Sequence, residues 1–351
     1  MAHKYEKWEV VDKLAQGGQS ATYLVKDSEG GSGQLFVLKR IGKREGRFHR
    51  EVRALGLFDH PNILKLIDVA SPNFSPQYMI TEYCSGGSLG ESPSRWKGDV
   101  STAIPIFRQL CDGLSYLHSR SATDGIRPIV HRDIKPHNIF IHADGRVVIG
   151  DFGICSLDDG NFLTEEFEAV GPRYFIAPEL EDSLTANVTT RADVYSAGKV
   201  LYWMLRGDGH VFAGQKHRES FWNLTRPNPN TPFGHEDVYM EHVNLLLDLM
   251  ITEKPDDRRD IDNIEILAKR AQQYVERRAQ PLVPNLPRPC MFCGQGQYIW
   301  NKTDNPDRLS QHGLATHGYP GGTETVGLFV CNVCSNMQVF HSGTDRKAWW
   351  K

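Results

Sequence analysis

Strand-like runs of apolar and aromatic residues mark the first ninety positions, and a three-to-four-residue spacing of apolar side chains marks the positions after 100. Runs at 8–14, 21–26 and 35–40 are rich in Val, Leu, Tyr and Phe, and the glycine-rich stretch DSEGGSGQ separates the last two. This pattern predicts half-buried strands joined by turns, a small antiparallel sheet. One helix interrupts it: in RFHREVRALGLF, residues 47–58, Phe48, Val52, Leu55 and Phe58 fall on one helical face, and HPNI at 60–63 stops the pattern. Beyond residue 100, Ile104, Phe107, Leu110, Cys111, Leu114 and Leu117 form one apolar stripe, and 194–205 and 261–277 also read as helices. IFIH from 139 and VVIG from 147 flank the turn ADGR. That is a short hairpin, with polar motifs on the loops at either side of it.

Composition sets the frame for these elements. The chain has 351 residues, long for one domain, so two unequal domains are expected. A formal charge of −3 gives no basic footprint and argues against a dedicated nucleic-acid binder. No run approaches the ~18 to 20 apolar residues of a membrane span. The start, MAHKYEKWEV, lacks the apolar core of a signal peptide. The expectation is a cytoplasmic protein without a membrane partner. Seven cysteines, four of them in two CxxC pairs, fit reduced thiols and a metal site better than a disulfide framework.

The chemistry is concentrated in two polar motifs. Residues 131–138 read HRDIKPHN, and DFG follows at 151–153. In that order Asp133 stands as a base for a hydroxyl and Asn138 and Asp151 as magnesium ligands, an arrangement suited to phosphoryl transfer.

With these motifs, residues of about 8–278 resemble the protein kinase catalytic domain, an α+β fold of two lobes with ATP bound between them. The resemblance implies a kinase domain over 1–279, with an N-lobe of about 1–84 and a C-lobe of about 85–279. Lys39 in FVLK then stands at the place of the lysine that contacts ATP phosphates. Glu51 is its ion-pair partner, with Glu45 the alternative. In YMITEYC, Thr81 resembles the residue behind the adenine, and Glu82, Tyr83 and Cys84 resemble the hinge whose backbone pairs with it. APE at 177–179, Asp193 in ADVYSAG and Arg258 match positions that brace the lobe, Arg258 as the buried partner of Glu179. Lys135, two residues after the base, implies a Ser/Thr acceptor and would touch the transferred phosphate, while Ile154 leans the choice toward Thr.

Departures from the pattern are specific. The phosphate-covering loop reads AQGGQSAT at 15–22, so Gly17 alone holds a template glycine position, Ala15 and Ser20 stand at the other two, and Gly18 adds freedom. Ala and Ser are the smallest substitutes where backbone N–H groups must approach phosphates, so nucleotide binding is expected to survive. Thr22 replaces the valine that covers adenine. Pro172 stands where related kinases carry a threonine that bridges Lys135 and the base. Arg132, before the catalytic aspartate, implies an anionic partner from the activation segment. The serine and threonine hydroxyls between DFG and APE are Ser156 and Thr164, and Thr164, in mid-loop, is the candidate autophosphorylation site. Asp158, Asp159, Glu165, Glu166 and Glu168 are the competing source of that anion.

A second module follows QPLVPNLPRP, residues 280–289, whose four prolines read as an extended linker. Over 290–351, Cys290 and Cys293 are matched after 37 intervening residues by Cys331 and Cys334. Four thiolates suit a tetrahedral structural zinc, and a module poor in Leu and Ile gains its stability from such a staple. The pattern resembles a zinc ribbon with a long excursion, His312, His317 and His341 being alternative ligands. Six Lys or Arg against four Asp or Glu over 281–351, with Trp349 and Trp350 near the end, favour docking or regulation of a protein over nucleic-acid contact. Cys111 reads as core, whereas Cys84 and Cys155 approach the nucleotide cleft as candidates for covalent modification.

The combined expectation is a Ser/Thr protein kinase using ATP with Mg²⁺, or Mn²⁺ as an alternative, on a protein substrate, carrying a structural Zn²⁺ in its C-terminal module. Two rivals remain: a pseudokinase scaffold, kept open by the altered glycine loop and Pro172, and a small-molecule kinase, disfavoured by APE, Asp193 and Arg258.

Overall fold

The strand-like runs fold as a six-stranded antiparallel sheet. Its strands are β1 (Lys4–Tyr5), β2 (Trp8–Gln16), β3 (Ala21–Asp27) and β4 (Leu35–Arg40), then, after helix α1 (Glu45–Leu55), β5 (Leu66–Val69) and β6 (Tyr78–Glu82). The spatial order is β1-β2-β3-β4-β6-β5. The computed structural model describes residues 4–16, 21–31, 33–42, 45–91, 100–119, 128–156, 174–181, 188–207, 209–217, 224, 237–276, 298–300, 326–331 and 337–341. These fall in two compact units, Met1–Val275 and Glu276–Lys351.

Side-chain alternation decides what each face of the sheet does. Leu38 pairs with Ile80, and both join Tyr5, Trp8, Val25 and Tyr78 in a core on one face. One residue on, Lys39 pairs with Met79, and Met79 belongs to the main core that α1 also enters through Phe48, Ala54 and Leu55. The parity that buries Leu38 outward therefore turns Lys39 toward α1. α1 begins two residues earlier and ends three earlier than its apolar pattern suggested. Its last turn tightens, Gly56 N donating to Val52 O at 3.0 Å and Leu57 N to Ala54 O at 2.9 Å, so Phe58 packs from a turn rather than from the helix.

The second half is helical around a hairpin. α2 (Val100–His118) packs on both β8 and α4; its stripe from Ile104 to Leu117 is buried as read, Cys111 included. β7 (Ile139–Ile141) and β8 (Val147–Ile149) form the hairpin. Its flanks are both occupied. Leu64 N and Asn62 O bond to Ile149 on one side, and Gly86 N and Gly87 O bond to Ile141 on the other. A Cβ at Gly86 would lie 2.7 Å from Ile141 O, so only glycine permits that approach. α3 (Pro178–Glu181), α4 (Arg191–Arg206), α5 (Asp237–Asp248) and α6 (Ile261–Glu276) complete the unit. α4 is buried on every side from Ala192 to Leu205, the mark of a central helix rather than an amphipathic one.

Lys199, in the middle of α4, is fully buried. Its ammonium donates to Phe212 O at 2.8 Å and Gly214 O at 2.6 Å and lies 3.7 Å from the Phe212 ring centroid. Burial pulls its pKa down to about 7, with Glu181 acting in the opposite sense. The unfolded chain holds that proton to about pH 10.4. Between pH 7 and 10 the unfolded state therefore binds more protons, and stability should rise with pH across that window. Lys199→Met is expected to flatten the rise, read as the pH dependence of urea midpoints for the two proteins. Parallel curves would refute it.

In the second unit, β9 (Tyr298–Trp300), β10 (Val326–Cys331) and β11 (Met337–His341) form an antiparallel sheet with β10 in the centre. No described helix is long and apolar enough to cross a membrane.

Candidate active site

Three elements meet at Lys39. Its Nζ lies 2.5 Å from Glu51 Oε2 and 3.9 Å from Asp151 Oδ1. Glu51, on the buried face of α1, is 3% exposed, whereas Glu45 heads the helix in an exposed position, so Glu51 is the partner. Burial works against the lysine's charge, but Glu51 and Asp151 outweigh it and hold Lys39 protonated well above its ordinary range. Asp151 is held below the usual carboxylate range: burial opposes its charge, and Lys39, His131, Lys135 and Arg47 together prevail. Its backbone sits at φ 62°, a strained conformation for a non-glycine residue that turns the carboxylate toward Lys39. Phe152 anchors the turn, buried with its ring 5.1 Å from Phe58 and 4.7 Å from His131. Thr22 stands directly across from Lys39 in the β3–β4 register, and Ala15 across from Thr22.

The loop before β7 is built around a buried carboxylate. Asp193, at the start of α4, accepts from His118 Nε2 at 2.9 Å, His131 N at 2.8 Å and Arg132 N at 2.9 Å. Burial opposes its charge, but the His118 bond and His131 hold it below the usual range. Asp133 N donates to His131 Nδ1, which leaves His131 Nε2 to carry the proton that bonds Gly150 O at 3.0 Å. The two motifs are thereby tied together through one imidazole. Asp133 Oδ2 accepts from Lys135 Nζ at 2.7 Å and Asn138 Nδ2 at 2.9 Å, while among the described residues Oδ1 accepts from Lys135 alone at 2.9 Å. Oδ1 thus keeps an open acceptor direction. Asn138 gives its amide hydrogens to Asp133 Oδ2 and the Asp133 carbonyl, which frees its own Oδ1 as a ligand atom.

Arg132 has φ 69° and a buried Nε without a hydrogen-bond partner among the described residues. Burial disfavours its charge, nearby Arg50 adds to that, and Asp193 offsets them only in part, so its pKa is lowered. Ser156, the first of the two candidate hydroxyls, accepts from Val130 N at 2.8 Å. Thr81 is buried on β6 and Cys84 lies just past the strand. Burial pushes the Cys84 and Cys155 thiols up to about 12, which suppresses the thiolate and counts against covalent modification of either. Glu179 and Arg258 are joined by two bonds, at 2.6 and 2.8 Å.

Gly17, Gly18, Ser20, Thr164 and Pro172 lie outside the described residues, as do Cys290, Cys293, Cys334, His312 and His317. Of the four CxxC cysteines, Cys331 alone falls in a described strand. Sequence reasoning passed over the tethering residues His118 and Arg146, since a polar residue at a helix end or in a turn carries no signal for a partner distant in the chain.

A family model described as protein kinase domain matches residues 8–267. Among curated proteins, the chain is 28% identical over 284 residues to the serine/threonine-protein kinase Nek1 of Mus musculus, covering 77% of this chain and 22% of that protein. It is 32% identical over 266 residues to the serine/threonine-protein kinase Pkn1 of Myxococcus xanthus, covering 71% and 36%. It is 26% identical over 251 residues to the probable serine/threonine-protein kinase PknB of Lactococcus lactis, covering 67% and 38%. The alignments with these three relatives span between 22% and 38% of their own lengths.

Proposed function

The chain belongs to the protein kinase domain family, and from that premise we propose that it transfers the γ-phosphoryl group of ATP to Ser or Thr hydroxyls of a protein. The observation that carries this reading is the assembled set of Lys39–Glu51 with Asp151 and of Asp133 with Asn138, the two groups joined where Gly150 N bonds Asn138 O at 2.9 Å. A half-exposed Asp151 carboxylate and the free Asn138 Oδ1 are hard oxygen donors, the kind Mg²⁺ takes, so the residues present fit the metal. MgATP, when bound, supplies the phosphoryl group and the charge that neutralises it. Lys39, held protonated, places a cation on the phosphate side. Asp133 Oδ1 orients the acceptor hydroxyl and takes its proton, and Lys135 holds Asp133 in place while offering a cation to the charge that develops. Thr81, Glu82 and Cys84 form the adenine side, with Ala15, Gly17, Gly18, Ser20 and Thr22 over the nucleotide. An intact set of acid, lysine and metal donors disfavours the scaffold alternative.

Arg132 calls for an anion, and Thr164 is our candidate to supply it. Ser156 is engaged by Val130, which leaves Thr164 as the other serine or threonine hydroxyl of the segment. A phosphate there brings nearly two charges and strong acceptors to a guanidinium whose Nε has none.

For the C-terminal unit we propose a zinc site of Cys290, Cys293, Cys331 and Cys334 that supports protein docking or regulation. Strand register supports it. Cys331 pairs with Tyr298 and Val330 with Met337, so the β10–β11 turn and the start of β9 share one end of the sheet. Cys293 precedes Tyr298 by five residues, a reach of up to about 18 Å. His341 pairs with Val326 instead, roughly 17 Å along β10 from Cys331, which counts against it as a ligand.

One experiment tests both readings: intact-mass spectrometry with and without MgATP, under native and denaturing conditions. Phosphate on Thr164 in the wild type and a native excess of one zinc are expected. No transfer to itself or to a generic protein acceptor would sink the kinase reading, and equal native and denatured masses would sink the zinc site.

A further inference from the structure

A cluster of charged groups joins the end of β6 to the β7–β8 turn. Glu82, the last residue of β6, accepts from Arg146 Nη2 at 2.7 Å through Oε2 and from Lys65 N at 3.0 Å through Oε1. Arg146 also donates through Nη1 to Pro61 O. Its own backbone is fixed: Arg146 N bonds Asp144 Oδ1 at 2.9 Å, and its carbonyl accepts from His142 N at 2.8 Å, closing the β7–β8 turn. That hairpin is a short rigid lever. At its open end Gly150 N bonds Asn138 O at 2.9 Å, so the two proposed metal ligands, Asn138 and Asp151, leave from a common point. Three residue pairs, roughly 10 Å, separate that end from the turn.

We infer that Arg146 is a positioning residue which fixes the adenine side of the cleft relative to the phosphate side, by clasping Glu82 and Pro61 to the tip of the hairpin that carries Asn138 and Asp151. The inference rests on the kinase reading for the identity of the nucleotide. Physically, ATP gains from binding two subsites at once, and it gains most when their separation is already set. Adenosine touches the adenine side alone and is indifferent to that separation. The Glu82 carboxylate is 12% exposed and the Arg146 guanidinium side chain 26%, so the pair is shielded enough to act as a strut rather than a screened surface contact.

The test is equilibrium binding of MgATP and of adenosine to Arg146→Met and Arg146→Lys. Arg108→Met, which removes the Arg108–Glu265 pair elsewhere in the domain, is the control for lost stability. Arg146→Met should weaken MgATP about five- to tenfold and leave adenosine within about twofold, with Arg146→Lys in between and the control unchanged. In the nucleotide-free protein, amide exchange at Lys65, Glu82 and Gly86 should accelerate in Arg146→Met and not in the control. Equal weakening of both ligands would mean a damaged adenine site, and unchanged MgATP affinity would mean no coupling; either overturns the inference. A wild-type protein that binds neither ligand would instead overturn the kinase reading itself.

Discussion

Asp133→Asn is expected to slow single-turnover phosphoryl transfer at saturating MgATP by about 10²- to 10⁴-fold, with nucleotide affinity and thermal midpoint nearly unchanged. The substitution preserves volume and inverts one atom's role. Oδ2 receives Lys135 and Asn138 whereas Oδ1 receives Lys135, so the new amide will place its oxygen at Oδ2 and its nitrogen at the Oδ1 position, giving up one of the two Lys135 bonds. A donor then stands where the acceptor hydroxyl must deliver its proton. Because Asn138 Nδ2 also bonds the Asp133 carbonyl at 2.8 Å, the loop keeps its shape and Asn138 keeps its orientation. Rapid-quench transfer rates beside equilibrium nucleotide binding will separate the two effects. A variant that keeps a tenth or more of the wild-type rate would remove Asp133 from the proposed role.

Much of this site is visible before folding because its chemistry is packed into short motifs. HRDIKPHN and DFG name Asp133, Lys135, Asn138 and Asp151 by spacing, and the FVLK strand followed by an amphipathic helix names Lys39 and Glu51. What spacing cannot convey is a contact between positions far apart in the chain. Arg146 and Glu82 are 64 residues apart and meet because a hairpin and a sheet edge are brought together. Lys199 is the sharper case. Nothing in the sequence of the 194–205 helix marks its lysine as buried, and it is the burial of α4 on all sides that gives the ammonium two carbonyls and an aromatic face. α1 shows the limit of periodicity: Phe58 continues the apolar spacing, but Leu57 N turns to Ala54 O and the chain leaves the helix, three residues short of the boundary that the spacing implies. β6 holds its place through pairing with β4 and β5 through pairing with β6, and β5 is too short to announce itself.

Arg258→Met should cost about 3–5 kcal/mol, because it breaks a buried ion pair from one side. The guanidinium is 1% exposed, and all three nitrogens donate: Nε to Thr252 O at 2.9 Å, Nη1 to Glu179 Oε1 and Arg191 O, Nη2 to Glu179 Oε2 and Glu253 O. It also lies 4.9 Å from the Tyr195 ring centroid. One side chain thus joins the start of α3, the start of α4 and the turn before α6. Methionine can fill the volume but satisfies none of the acceptors, and a methylene-for-charge exchange leaves the Glu179 carboxylate in a site 11% exposed without either guanidinium bond. For a domain of this size about 1 kcal/mol moves the midpoint by roughly 2–4 °C, so a fall on the order of 10 °C is expected by calorimetry. Arg258→Lys should recover less than half of it, since a single ammonium cannot reproduce the planar fork that bonds both Glu179 oxygens. A loss under about 1 kcal/mol in Arg258→Met would show that the pair only offsets its own desolvation, and that the contacts of α3 and α4 hold without it.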